Sequence, residues 1–423
     1  MKSTVSRGVA VATAVVLLSA GLSACGADSG GDTVRLGAIL PMTGANATYG
    51  KPLRQAAELA VNRVNAAGGI TVDGRARKVE LAVYDDGTAY AKNIPQVFPQ
   101  AVLRDHVPFL MTAWSTYNVA PLLKANPVPT VDVLAATWQP PVTDLDDHVF
   151  LLRPFTPDII PGVPTYMKKK YKARRIAYIG PDEAFANGQL ASLKEAAAKS
   201  GSRVVSEVRY PADSTDLSSS VRKALASHPE AIHVGGSTQA VAPLLTQLYQ
   251  AGSKIPVSMY TGMTPDQARD LIGPGLYGRV MAHVHEFEGV TPQTNPSRAA
   301  QQFGKDFKQR YRSYGIDLTQ WSYDAVWIAK AAMEKADTVT DKEAISDALR
   351  DLTVPSATVT GWRKRGGERL FNKQRQATSL SVAMSWDTAH NTWAPSYYYT
   401  AGLPGQTVRR ADVTAPDTSA TKG

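Results

Sequence analysis

Val34-Arg35-Leu36-Gly37-Ala38-Ile39-Leu40 runs into Pro41-Met42-Thr43-Gly44-Ala45-Asn46-Ala47-Thr48-Tyr49-Gly50, and a long segment then ends in Asn65-Ala66-Ala67-Gly68-Gly69-Ile70. The first piece is a short apolar run of strand type and the second a polar loop. In the third, Leu53, Ala56, Ala57, Ala60, Val61 and Val64 recur at steps of three and one, which lines one face of a helix. Gly68-Gly69 supplies the backbone freedom that a helix C-terminus uses. A second apolar run, Val79 to Tyr84, follows. Strand, helix and strand in this order predict a βαβ unit and parallel pairing. No glycine loop of the phosphate- or dinucleotide-binding type follows the first strand, which argues against a nucleotide site there.

The same alternation extends outward. Phe109 to Thr112 and Thr130 to Leu134 read as further strands of a first layer. Arg175 to Ile179, Arg203 to Val208, Ala231 to Val234, Val257 to Tyr260 and Arg279 to Val284 read as a second. Pro296 to Leu352 is helical, with Phe303, Phe307 and Tyr311, then Ala325, Ile328, Ala329 and Ala332, on apolar faces. Leu380 to Trp386 and Trp393 to Tyr399 read as a strand pair, and 403–423 as a flexible tail. The fold class is therefore α/β.

Lys2 and Arg7 precede an apolar run from Val9 to Leu18, too short to span a bilayer and of export-signal type. It closes with Leu22-Ser23-Ala24-Cys25, placing the only cysteine of 423 residues where a lipoprotein signal is cut. This reading makes 1–24 a signal peptide, Cys25 the lipidated first residue and 25–32 a tether, so the chain sits on the outer face of the cell membrane. With one cysteine no internal disulfide is possible, so the core must hold the fold, and the length suits two domains. The net charge is +9, but the cations are scattered and no nucleic-acid motif appears. The dense run Lys168-Lys169-Lys170-Tyr171-Lys172, with Arg174 and Arg175, reads as the solvated end of a helix.

Pro41 to Gly50, Asn65 to Ile70, Val133 to Thr137, Phe185 to Gly188 and Tyr323 to Val326 are together similar to the branched-chain amino-acid type of periplasmic binding proteins. The opening from Pro41 to Gly50, continuing to Asn65–Ile70, resembles that family's start. Val133-Leu134-Ala135-Ala136-Thr137 resembles its carboxylate-binding loop, Phe185-Ala186-Asn187-Gly188 a helix start, and Tyr323-Asp324-Ala325-Val326 a late helix, over roughly residues 33 to 400. The resemblance implies the type I periplasmic binding protein fold: two Rossmann-like lobes with parallel sheets, joined by three crossover hinges, and a ligand between them. Crossovers are expected near Arg153 to Thr156, His285 to Gly289 and Leu352 to Gly361. The N-terminal lobe would comprise 33–153 plus 288–352, and the C-terminal lobe 154–287 plus 353–402.

Carried over by position, the resemblance implies a ligand site of Thr43, Tyr49, Trp114, Ser115, Thr116, Ala135, Ala136, Thr137, Phe185, Ser237 and Thr261. Hydroxyls and backbone N–H groups at helix starts suit a carboxylate or another polar acceptor. Phe185 stands where the family has a tyrosine, Ser237 where it has another, and Thr261 near its acidic partner for an α-ammonium. A buried ammonium needs a charged or strongly hydrogen-bonding partner, so amides, aliphatic or aromatic acids and modified amino acids are expected to bind better than leucine or valine. Trp114 adds an apolar face, or packs the edge of its lobe.

Enzyme readings are not supported. His283 and His285 share a strand face near Glu286 and Glu288 but lack a third ligand at a characteristic spacing, and neither a nucleophile elbow nor a zinc helix motif occurs. Asp85-Asp86 reads as strand-end solvation. The expected protein is a monomeric, cofactor-free binding protein without a metal. Its partners would be the permease and ATPase of an ABC importer, a membrane reached through the lipid anchor, and no nucleic acid. The alternative is a sensing lipoprotein with the same clamp that signals to a membrane receptor.

Overall fold

The computed structural model describes residues 33–44, 46–88, 91–134, 142–154, 156–292, 294–295, 297–312, 318–360, 369–377, 380–400 and 403–408. Its strands are β1 (Thr33–Leu40), β2 (Ile70–Val72), β3 (Arg75–Asp85), β4 (Leu110–Thr112), β5 (Thr130–Asp132), β6 (Val149–Leu151), β7 (Arg175–Pro181), β8 (Arg203–Tyr210), β9 (Ala231–Val234), β10 (Val257–Met259), β11 (Val284–Gly289), β12 (Leu380–Asp387), β13 (Thr392–Thr400) and β14 (Leu403–Val408). They form two sheets, ordered β2-β3-β1-β4-β5-β6 and β14-β13-β12-β11-β10-β9-β7-β8. β1 pairs in parallel with β3 along its whole length, from Thr33 opposite Lys78 to Leu40 opposite Asp85. β4, β5 and β6 continue the parallel set, and β7 to β11 make a second one.

The stretch that opened the sequence reading forms the first parallel unit. Helix Ala47–Ala66 buries Leu53, Ala56, Ala57, Ala60, Val61 and Val64 against the first sheet. Gly68 and Gly69 then adopt φ of +99° and +79°. A Cβ on Gly69 would lie 2.0 Å from the Arg77 carbonyl oxygen, so only glycine lets the chain turn this close to β3.

Helices Arg298–Tyr311, Thr319–Ala336 and Lys342–Arg350 return to the first layer, where Phe303, Phe307, Ile328 and Ile345 share a core with Leu53 and Val64. The chain stays there beyond the expected third crossover. Val359, Leu370 and Phe371 belong to the same core, and Gln376 bridges to Leu151 of β6. Fully buried Asp324 fixes this return, accepting from the backbone N–H of Val359 at 2.7 Å and of Thr360 at 2.9 Å.

Besides β6, which the sequence reading does not anticipate, three further elements differ from the sequence expectation. Residues Tyr277–Met281 form a short helix and β11 begins only at Val284, where the sequence reading starts a strand at Arg279. β2 and β3 form a hairpin through Asp73 and Gly74, both at positive φ. Leu403–Val408, read as tail, pairs antiparallel with β13. Pro404 and Gly405 disguise this strand, which is tolerated because β14 sits at the sheet edge. Cys25 and the rest of 1–32, and the tail from 409, lie outside the described residues.

Candidate functional site

Parallel α/β sheets gather loops and helix starts at the carboxyl ends of their strands. Here both sheets do so toward one cleft, of about 210 Å³. The first layer contributes Tyr49 from the first turn of its helix, Trp114 after β4, Leu134 after β5, Arg153 after β6 and Leu318 before helix Thr319–Ala336. The second contributes Phe185 at the start of helix Ala184–Ser200, Thr238 at that of Thr238–Gln250, and Tyr260, Thr261 and Gly262 after β10. Thr264, Gln267 and Glu288 complete the lining.

Of the residues named from sequence, Tyr49, Trp114, Phe185 and Thr261 line this cleft. The rest divide. Thr43 lies on the adjoining loop, its hydroxyl donating to Asp85 at 2.6 Å. Asp85 also accepts from the N–H groups of Met42, Thr43 and Gly87. Partial burial pushes its pKa up, but these donors win and hold it below the ordinary carboxylate range. Asp86 is 3 % exposed and accepts from the Thr88 N–H, so this pair organises loops and is not strand-end solvation. Thr116 is buried and donates to the Ala113 carbonyl at 2.7 Å. Ser237 caps helix Thr238–Gln250 through the Ala240 N–H. Ala135, Ala136 and Thr137 lie outside the described residues.

Ser115 carries a buried hydroxyl without a partner, as Thr143, Ser322 and Ser346 do elsewhere among the described residues. It is 1 % exposed, precedes helix Thr116–Leu123 directly beside Trp114, and its hydroxyl caps nothing and has no hydrogen-bond partner among the described residues. A buried hydroxyl without a partner carries a free-energy penalty of about 1–3 kcal/mol.

Much of the second wall bonds within the protein. Thr261 donates through its N–H at 2.7 Å and its hydroxyl at 2.9 Å to Glu286, whose carboxyl is fully buried. Burial pushes the Glu286 pKa well up, against the pull of the Thr261 and Gly262 donors. Thr264 and Gln267 cap each other at the start of helix Pro265–Ile272. Phe185 is positioned from below: the buried Tyr178 hydroxyl donates to the Ala186 carbonyl at 2.7 Å. Its ring fits there because Gly180 and Gly235 have no side chain, since a Cβ on either would lie within 2.4 Å of the Tyr178 oxygen.

Arg153 and Glu288, both nearly buried, face each other at 3.6 Å on the cleft floor, wider than a hydrogen bond, and Arg153 also bonds Tyr260. The sequence reading did not assign these three to the site. Their position at strand ends was the available signal, since Arg153 and Glu288 fall in expected crossovers. His285 bonds Tyr171 and Ser385 on a different part of the second layer, and the cleft does not include it.

The comparisons with known proteins concern the fold and the family. Residues 33–391 match the family of periplasmic binding proteins. A Leu/Ile/Val-binding protein homologue of Brucella melitensis is 26% identical over 328 residues, 75% of this chain and 83% of the relative. The isoleucine-bound branched-chain amino acid transporter substrate-binding protein of Streptococcus pneumoniae superposes with a TM-score of 0.68 at 18% identity, covering 88% of this chain and 99% of that one. A solute-binding protein of an ABC transporter from Rhodopseudomonas palustris, in complex with 3,4-dihydroxybenzoic acid, gives 0.68 at 19% identity, covering 88% and 98%. The chain belongs to the periplasmic binding protein family. It is an extracytoplasmic solute-binding protein and not an enzyme, and among the described residues no helix is long and apolar enough to cross a membrane.

Proposed function

We propose that this chain is the capture subunit of an ABC importer and takes a small carboxylate, amide or amino-acid-like solute between its lobes. The observation that carries this reading is the Ser115 hydroxyl, buried without a partner among the described residues at a helix start, next in the chain to Trp114 of the cleft lining. A ligand oxygen there receives that hydroxyl, and the helix dipole favours negative charge. The resemblance to the family's carboxylate-binding loop assigns Ala135, Ala136 and Thr137 to the same polar group of the ligand. Lipid on Cys25 holds a monomer at the outer membrane face, within reach of the permease and its ATPase.

A thermal-shift screen of small acids, amides, amino acids and polyamines tests the reading, because a ligand that binds only the folded state raises the melting temperature. Acids or amides should stabilise the protein and polyamines should not. No shift with any acid, amide or amino acid refutes it.

A further inference from the structure

We infer that the cleft selects an N-methylated ammonium, a quaternary head of betaine type seated among aromatic rings from both lobes. This rests on the amino-acid-like reading above and specifies the end of the ligand opposite its carboxylate. Tyr49 and Trp114 line the cleft from the first layer, and Phe185 and Tyr260 line it from the second. The first two rings meet at 5.0 Å and 79°, the other two at 5.9 Å and 57°. Rings this steeply inclined make two corners and not two parallel plates. A flat group can stack on only one ring of a corner, whereas a rounded trimethylammonium group can touch both. Ring faces carry the negative part of the aromatic quadrupole and attract such a cation within about 6 Å of their centres.

An unmethylated ammonium brings N–H donors that need acceptors once they leave water. Much of the polar surface of the second wall is already engaged within the protein. Thr261 donates to Glu286, its carbonyl accepts from the Thr238 hydroxyl at 3.4 Å, and Thr264 and Gln267 cap one another. Glu288, an acidic residue of the lining, faces Arg153 at 3.6 Å. Methylation removes the N–H donors and keeps the charge, so a quaternary head needs none of those acceptors and is held by the rings. Each ring face that the cation meets contributes a factor of about 2–30 in affinity.

Calorimetry on the purified full-length protein with trimethylglycine tests this against matched probes. In tert-butylacetate a carbon replaces the charged nitrogen and the shape is kept, glycine keeps the charge with its N–H donors, and choline keeps the trimethylammonium without the carboxylate. Trimethylglycine should bind at least about tenfold tighter than tert-butylacetate or glycine, and tighter than choline. Phe185→Leu and Trp114→Leu should each weaken trimethylglycine by about 2- to 30-fold and change tert-butylacetate far less, and the wild-type comparison stands even where a variant fails to fold. Equal or tighter binding of tert-butylacetate overturns the inference and leaves the carboxylate reading intact. Equal or tighter binding of glycine overturns it too, by showing that the cleft supplies acceptors for an N–H ammonium. Tighter binding of choline than of trimethylglycine supports the quaternary head and overturns the carboxylate reading instead. Binding of none of these probes overturns the inference, and whether the carboxylate reading falls with it is decided by the broader screen of acids and amides.

Discussion

Ser115→Ala separates folding from binding at one atom. The wild-type hydroxyl is 1 % exposed, bonds to nothing described and does not cap its helix. Removing it takes away a desolvated group that gives no native hydrogen bond in return, so the ligand-free variant should be as stable as wild type or up to about 1 kcal/mol more stable. Binding should change the other way. A hydrogen bond to a charged group contributes about 1.5–3 kcal/mol, so affinity for a carboxylate ligand should fall about 10- to 150-fold. Thr116→Val is the matching control one residue along. Its hydroxyl donates to Ala113 and meets that of Thr112 at 2.7 Å, so this change should lower stability by about 1–3 kcal/mol and alter affinity far less. Urea denaturation without ligand and calorimetry with it give both numbers. If Ser115→Ala loses stability and keeps its affinity, the hydroxyl is structural and the ligand head group sits elsewhere.

Glu288→Gln should destabilise the protein by less than the loss of about 3–5 kcal/mol that follows when a buried charge is left alone, because Asp132 and Tyr260 still act on the nearly buried Arg153, and equilibrium unfolding measures this. Burial pushes the Asp324 pKa up to about 7, so the folded state binds a proton more tightly than the unfolded chain; stability should fall as pH rises from about 4 through 7, by at most about 4 kcal/mol, and Asp324→Asn should flatten that slope in calorimetric scans. Cys25→Ser should release the protein into the soluble or medium fraction, and continued membrane retention would show that lipid on Cys25 is not the anchor. Small-angle scattering should report a more compact particle at ligand saturation, and an unchanged radius would mean a fixed cleft.

Local periodicity made the alternating strands and helices legible, since runs such as Val34–Leu40 and the Leu53 to Val64 face are set by nearest neighbours in the chain. Segments whose pairing is decided at long range were harder to read. β14 contains Pro404 and Gly405 and exists because β13 offers it an edge, and residues to 377 stay with the first layer because Asp324 reaches across to Val359 and Thr360. The site divides in the same manner. Tyr49, Trp114, Phe185 and Thr261 could be found from loop motifs, whereas Arg153, Tyr260 and Glu288 act as a cluster only after three strand ends meet.

Tyr178, Gly180 and Gly235 bear on how such a cleft changes over evolutionary time. The tyrosine fills the space that the two glycines leave, and it holds the helix start that carries Phe185. A side chain at either glycine is tolerated only after the tyrosine has shrunk, and shrinking the tyrosine first removes the support for the wall. Substitution at these three positions is thus order-dependent, so drift in ligand preference should run through Phe185 itself while the trio beneath it covaries or stays fixed.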